Sequence, residues 1–184
     1  MAESRSNIVF QWVKSFFWGF LLYLFITTFL FSSYVVDGNS MQPSLSDRDR
    51  LIVSKISYEL HTIKRFDIIV FHGINKQDYV KRVIGLPGDS IRYHNDELFI
   101  NGRKYAEPYL DKQRHPLVGQ KYTGDFTIKE ATGRKKVPPN QLFTLGDNRL
   151  SSMDSRHFGF VPMKKVVGKV SARFWPVRDI TARF

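Results

Sequence analysis

The chain changes its hydrophobic rhythm once, near residue 37. Before it, 22 residues without a charge, SFFWGFLLYLFITTFLFSSYVV, run from Ser15 to Val36. As a helix this stretch would span roughly 33 Å at about 1.5 Å per residue, enough to cross a bilayer. The pattern predicts an N-terminal tail over residues 1–14, a transmembrane helix over 15–36 and a second unit over 37–184. A removable leader usually has an apolar core of about 7–15 residues followed by small side chains. Here Tyr34-Val35-Val36 follow instead, and the segment reads as a retained anchor.

Beyond the anchor the apolar positions come in short runs separated by turn residues. Leu51–Val53, Asp67–Phe71, Tyr79–Ile84, Leu98–Ile100, Leu142–Leu145 and Val166–Phe174 read as strands, with Leu86-Pro87-Gly88-Asp89, Asn101-Gly102 and Gly146-Asp147-Asn148 as punctuation. Asn101-Gly102 between Leu98-Phe99-Ile100 and Arg103-Lys104-Tyr105 predicts a tight hairpin, because both residues tolerate positive φ. The expected fold is mostly β. The stretch from about 92 to 140, most clearly Glu107 to Pro139, is polar, basic and less regular, and reads as a small extension from the core.

Charge sharpens this picture in one respect. The 28 Lys and Arg outnumber the 17 Asp and Glu, for a formal net charge of +11. Of the charged groups only Glu3, Arg5 and Lys14 precede residue 37, so the basic excess lies in the β unit and favours anionic partners such as lipid headgroups. It does not orient the anchor, since Arg5 and Lys14 on one flank face Arg48, Arg50 and Lys55 on the other. The absence of cysteine excludes disulfides and thiolate metal sites.

Ser40, in GNSMQP just after the anchor, is the first candidate for chemistry. A serine hydroxyl attacks only when a neighbouring base takes its proton. His61, His72, His94, His115 and His157 are the histidine candidates, and Lys81 is the lysine candidate. On a strand, Tyr79, Lys81 and Val83 share one face. At an ordinary pKa of about 10.4 only about 0.04% of lysines are neutral at pH 7; burial lowering the value to about 8 would bring that to roughly 10%. On the strand pattern alone, Lys81 reads rather as a lysine reaching out to water.

Four blocks in one order, GNSMQPSL at 38–45, RFDIIVF at 65–71, YVKRVIGLPGDSI at 79–91 and LGDNRLSSMDSRHFG at 145–159, together with the single anchor before them, resemble the type I signal peptidases. These are membrane-bound serine proteases with a Ser-Lys dyad. The short length and single anchor are similar to the Gram-positive bacterial members. The resemblance implies a catalytic domain of the signal-peptidase type, with Ser40 as nucleophile and Lys81 as general base. It further implies Ser152 as the hydroxyl that orients the lysine, and Asp154 with Arg156 as a charged pair behind the site. Tyr34, Val36, Leu45 and Val80 match positions lining the pockets for small residues at −1 and −3 of an Ala-x-Ala cleavage site. Gly38 stands where Gram-negative members carry a second, hydroxyl-bearing oxyanion donor, and Ser44 where threonine is frequent.

The implied substrates are preproteins bearing signal peptides, and the implied location is the cell membrane, N-terminus inside and catalytic domain outside. No cofactor or metal is expected, and no nucleic-acid partner, since the basic charge comes without a recognition motif. Motifs for Ser-x-x-Lys β-lactam enzymes, His-Glu-x-x-His, a P-loop or Gly-x-Gly-x-x-Gly are missing from the sequence. Two rival readings remain on the residues: a membrane-anchored binding module in which Ser40 is only a turn residue, and a Ser-His-Asp hydrolase using His157 with Asp147 or Asp154.

Overall fold

The computed structural model describes residues 2–55, 63–73, 77–111, 121–182 and 184. His61 and His115 lie outside the described residues, as does 112–120 of the expected extension. Helix α1 (Ala2–Phe25) continues into a π-helical turn, Ile26–Leu30. Its stretch Phe10–Thr28 is long and apolar enough to cross a membrane and is not buried by the rest of the chain, although Lys55 Nζ donates to the Thr28 carbonyl at its end at 3.0 Å.

The helix does not reach Val36. Phe31–Val35 is strand β1, paired antiparallel with β2 (Arg50–Ser54). Counting uncharged residues cannot find this switch, because helix and strand both tolerate apolar runs. The change comes where β-branched Ile26, Thr27 and Thr28 succeed a run of Leu, Tyr and Phe, and Thr27 Oγ1 donates back to the Tyr23 carbonyl at 2.9 Å.

The remaining strands are β3 (Ile68–His72), β4 (Asp78–Gly85), β5 (Ile91–His94), β6 (Glu97–Ile100), β7 (Arg103–Tyr105), β8 (Phe126–Thr127), β9 (Gln141–Leu145), β10 (Val161–Pro162) and β11 (Val166–Trp175). They form a seven-stranded sheet, β1-β2-β11-β3-β4-β9-β10, and a four-stranded sheet, β7-β6-β5-β8, antiparallel throughout. The expected extension is therefore more ordered than its composition suggested. Its strands are short and partly charged, as in Ile91-Arg92-Tyr93-His94, where only alternate side chains are buried. The Asn101-Gly102 hairpin forms as expected, with φ of 52° and 81°.

Strand β3 explains how the core is divided. Its four buried residues alternate between two apolar clusters: Ile68 and Val70 join Val36, Met41, Leu45, Leu51 and Val53, whereas Ile69 and Phe71 join Val83, Leu142, Val161 and Val166. A third cluster, including Ile84, Ile91, Tyr93, Leu98, Phe143 and Leu145, joins the two sheets. Each such side chain stabilises by about 1.5–3 kcal/mol when fully buried. The first cluster lies directly beneath the Ser40 segment, through Met41 and Leu45.

Candidate active site

Ser40 sits in a loop closed at its base by two backbone bonds, Val36 N–H to the Asp49 carbonyl and Arg48 N–H to the Val36 carbonyl, both 2.9 Å. Met41 and Leu45, four residues apart and joined by a 2.9 Å backbone bond, turn into the core. Ser40 is left at the half-buried rim. Gly38 takes φ of 84°, a value that favours glycine, and its N–H donates to the Asp47 carboxylate at 2.8 Å. That amide is thus already engaged.

Lys81 comes to Ser40 from β4. Its side chain is buried opposite Ile69, and Nζ lies 2.7 Å from Ser40 Oγ. Burial lowers its pKa to about 8, while Asp154 and Asp147 pull the value back up. Both carboxylates are themselves matched. Arg156 grips Asp154 through Nε and Nη2 at 2.9 Å each, and Arg82 grips Asp147 at 2.8 and 2.7 Å. The lysine is therefore desolvated by the sheet, with nearby anions whose charge is largely balanced by guanidinium groups. The ring of Tyr79, 5.7 Å from Nζ, stacks on Phe158 and forms part of the apolar surround.

The loop from Gly146 to Asp154 backs the nucleophile. Asn148 N–H donates to the Ser40 carbonyl at 3.0 Å, and Gly146 N–H donates to Asp154 at 3.1 Å. A side chain on Gly146 would strike both Ser152 Oγ and the Ser40 carbonyl. Ser152 Oγ is buried in this packing and makes no hydrogen bond among the described residues. The expected bond from Ser152 to the lysine is thus not formed; the Lys81 amine faces Ser40 instead.

A cleft of about 220 Å³ opens in front of the pair, lined by residues from β1, the Ser40 loop and β4, and by Met153. Tyr34, Val36 and Val80 are among its lining residues. Leu45 is not: fully buried among Met41, Leu51 and Val53, it supports the floor from behind. Asp78, Tyr79 and Met153 were not foreseen as lining residues. Alternation along β4 could have placed Asp78 on the face of Val80, whereas nothing in the sequence brings Met153 to Tyr34. Burial and a hydrogen bond to the Asp78 carboxylate push the Tyr34 phenol up, and His72 Nδ1 lies 2.6 Å from the same carboxylate. Among the described residues no histidine lines the cleft; His157, 53% exposed by side chain, lies 3.9 Å from Asp154 and belongs to the outer surface.

The family described as signal peptidase, peptidase S26, matches residues 9–175. The chain belongs to this family. It is an enzyme of the signal peptidase I kind, a serine protease. Signal peptidase I of Bacillus caldolyticus is 56% identical over 156 residues, covering 85% of this chain and 86% of that protein. Signal peptidase IB of Staphylococcus aureus (strain COL) is 37% identical over 180 residues, covering 96% and 94%. A crystal structure of a signal peptidase I from Enterococcus faecalis, 46% identical, superposes with a TM-score of 0.57 over 59% of this chain and 96% of that one. The mostly β fold with one apolar N-terminal helix is thus that of a signal peptidase I, and its substrates are preproteins bearing signal peptides.

Proposed function

We propose that this signal peptidase cuts by a Ser-Lys dyad after small residues at −1 and −3. The observation that carries the reading is the 2.7 Å approach of Lys81 Nζ to Ser40 Oγ, with a lysine whose pKa is lowered to about 8. Once neutral, Nζ accepts the Oγ proton as Oγ attacks the scissile carbonyl, the C–O bond forms and the tetrahedral oxyanion develops. The resulting ammonium protonates the departing amine as the C–N bond breaks. Neutral again, it takes a proton from the water that attacks the acyl-enzyme and returns that proton to Ser40 Oγ as the acyl C–Oγ bond breaks. The Ser40 amide is the oxyanion donor in this reading, and Gly38 N–H is held by Asp47.

Substrate placement follows from two open strand edges. β1 ends the seven-stranded sheet, and Asp78–Lys81 of β4 pair only with β3, because β9 joins β4 from Arg82 onward. Both edges border the cleft, so an extended peptide adds to them by main-chain bonds, with Tyr34, Val36 and Val80 narrowing the space for alternate side chains. In this reading the buried Ser152 hydroxyl, without a hydrogen-bond partner among the described residues, is the group that takes up the Lys81 amine during the reaction, and the Asp154–Arg156 pair fixes its loop.

The apolar helix anchors the enzyme in the membrane, residues 10–28 spanning, with the catalytic unit extracytoplasmic. β1 leads from the helix into the Ser40 loop within a few residues, which keeps the nucleophile at the bilayer surface where a signal peptide's cleavage site emerges. The deciding experiment is cleavage of a purified preprotein by wild type and by Ser40→Ala and Lys81→Ala. Both variants should fold and be inactive; normal cleavage by Lys81→Ala would exclude the dyad. Protease added to intact protoplasts should digest residues beyond 37, and complete protection would invert the topology.

A further inference from the structure

Met153 is 58% exposed, yet it lines the same cleft as Ser40 and Lys81. Its neighbours on both sides are buried, Ser152 against Gly146 and Asp154 in its pair with Arg156. The backbone is thereby pinned on either side, and the thioether projects between fixed points. It is the only cleft-lining residue contributed by the 146–154 loop among the described residues. The chain contains four methionines and no cysteine. Met41 also lines the cleft but is only 1% exposed, and Met163 is half-buried elsewhere.

We propose that Met153 is an oxidation site that controls substrate binding: hydrogen peroxide converts this cleft wall from apolar to polar and weakens the hold on the peptide. The inference rests on the reading of the cleft as the substrate site. In the step, a sulfur lone pair attacks one peroxide oxygen, the S–O bond forms and the O–O bond breaks. The other oxygen leaves as water after proton transfer. Sulfur is oxidised by two electrons and peroxide is reduced by two. Without a thiol to compete, an accessible thioether is the favoured target on this chain. The sulfoxide adds a strong acceptor and a fixed dipole where a flexible apolar side chain met the substrate, and the Ser-Lys pair behind it is unaltered.

The test compares kcat and KM for a short Ala-x-Ala peptide before and after hydrogen peroxide, in the full chain and in Met153→Leu, each against its own untreated value. Intact-mass and peptide analysis locates the added oxygen. Treated wild type should carry the oxygen on Met153 and lose about tenfold in kcat/KM, the size of an ordinary apolar subsite contact, chiefly through KM. Met153→Leu should keep its untreated ratio, and untreated Met153→Gln should resemble oxidised wild type. Methionine sulfoxide reductases should restore the treated enzyme. Equal loss in Met153→Leu, or oxidised Met153 with unchanged KM, would overturn the proposal. Ser40→Ala is run in parallel: cleavage by that variant would remove the serine mechanism, while the peroxide comparison would still decide the role of Met153.

Discussion

Arg82 holds Asp147 in a two-pronged grip, Nε to Oδ1 at 2.8 Å and Nη2 to Oδ2 at 2.7 Å, and neither side chain reaches solvent. Arg82 follows Lys81 on β4, and Asp147 lies in the loop that backs Ser40. The same guanidinium donates to Ser44 Oγ at 3.0 Å. The hydroxyl shared by serine and threonine is what this position needs. One buried arginine thus ties the strand of the proposed base to both segments around the nucleophile.

Asp147→Asn keeps the shape of that grip and removes its charge, leaving Arg82 buried and uncompensated. Breaking one side of a buried pair costs about 3–5 kcal/mol. Denaturant unfolding should show a loss of this order, and activity should fall even where the variant is folded. Unchanged stability would mean that the pair does not brace the site.

Gly146→Ala tests the packing behind the nucleophile. The added methyl group meets Ser152 Oγ and the Ser40 carbonyl, and the carbonyl is held by Asn148. Relief requires moving the Ser40 segment, and a misplacement of about 1 Å can cost around a hundredfold in rate. We expect kcat to drop by that order with modest loss of stability. Ser152→Ala removes a hydroxyl without a hydrogen-bond partner among the described residues, so its fold should be unaffected while its kcat falls. A fully active Ser152→Ala would leave Ser152 with no role in orienting the lysine.

Much of this was legible from local pattern. The strand runs, the Asn101-Gly102 turn and the serine-lysine pairing each depend on short-range spacing or on blocks carried in one order. The boundary at Phe31 was not legible, because an uncharged run such as Phe31-Ser32-Ser33-Tyr34-Val35 suits a membrane helix or an edge strand, and only pairing with β2 decides. Leu45 was misplaced for a related reason: an apolar residue five positions after the nucleophile fits a pocket wall or a core, and the turn closed by Met41 sends it inward. Arg149 was legible only as part of a turn. Its partner Glu107, at 2.6 Å, comes from the connection that follows β7, 42 residues away in sequence.

Arg156 offers a handle on the base that leaves the base itself untouched. Lys81 must be neutral to accept a proton, so kcat/KM in the wild type should rise with pH around the free-enzyme value of about 8. Asp154 raises that value, and Arg156 offsets Asp154. Arg156→Gln should therefore move the ascending limb to higher pH, whereas His157→Ala should leave it in place. An ascending limb near pH 6.5 that vanishes in His157→Ala would point to a histidine base.

Lys81→Met separates what the lysine does for activity from what it does to stability. The folded protein depresses the lysine pKa from 10.5 to about 8, chiefly by burial, so its charged form is disfavoured in the fold. Between those values the unfolded chain binds more protons than the folded one, and wild-type stability rises with pH. Below about pH 8 the full penalty is present, roughly 3 kcal/mol at about 1.4 kcal/mol per pKa unit. Above about 10.5 it is gone. Methionine has similar length and no charge, and it loses the hydrogen bond to Ser40, about 1 kcal/mol, while keeping an apolar body beside Tyr79. At pH 7 Lys81→Met should thus be inactive but more stable than wild type by about 1–3 kcal/mol, with that advantage shrinking steadily as pH approaches 10. Urea unfolding of both proteins at pH 7 and pH 10 measures it. A variant no more stable at pH 7, or an advantage that grows with pH, would show that the lysine is not held against its own desolvation.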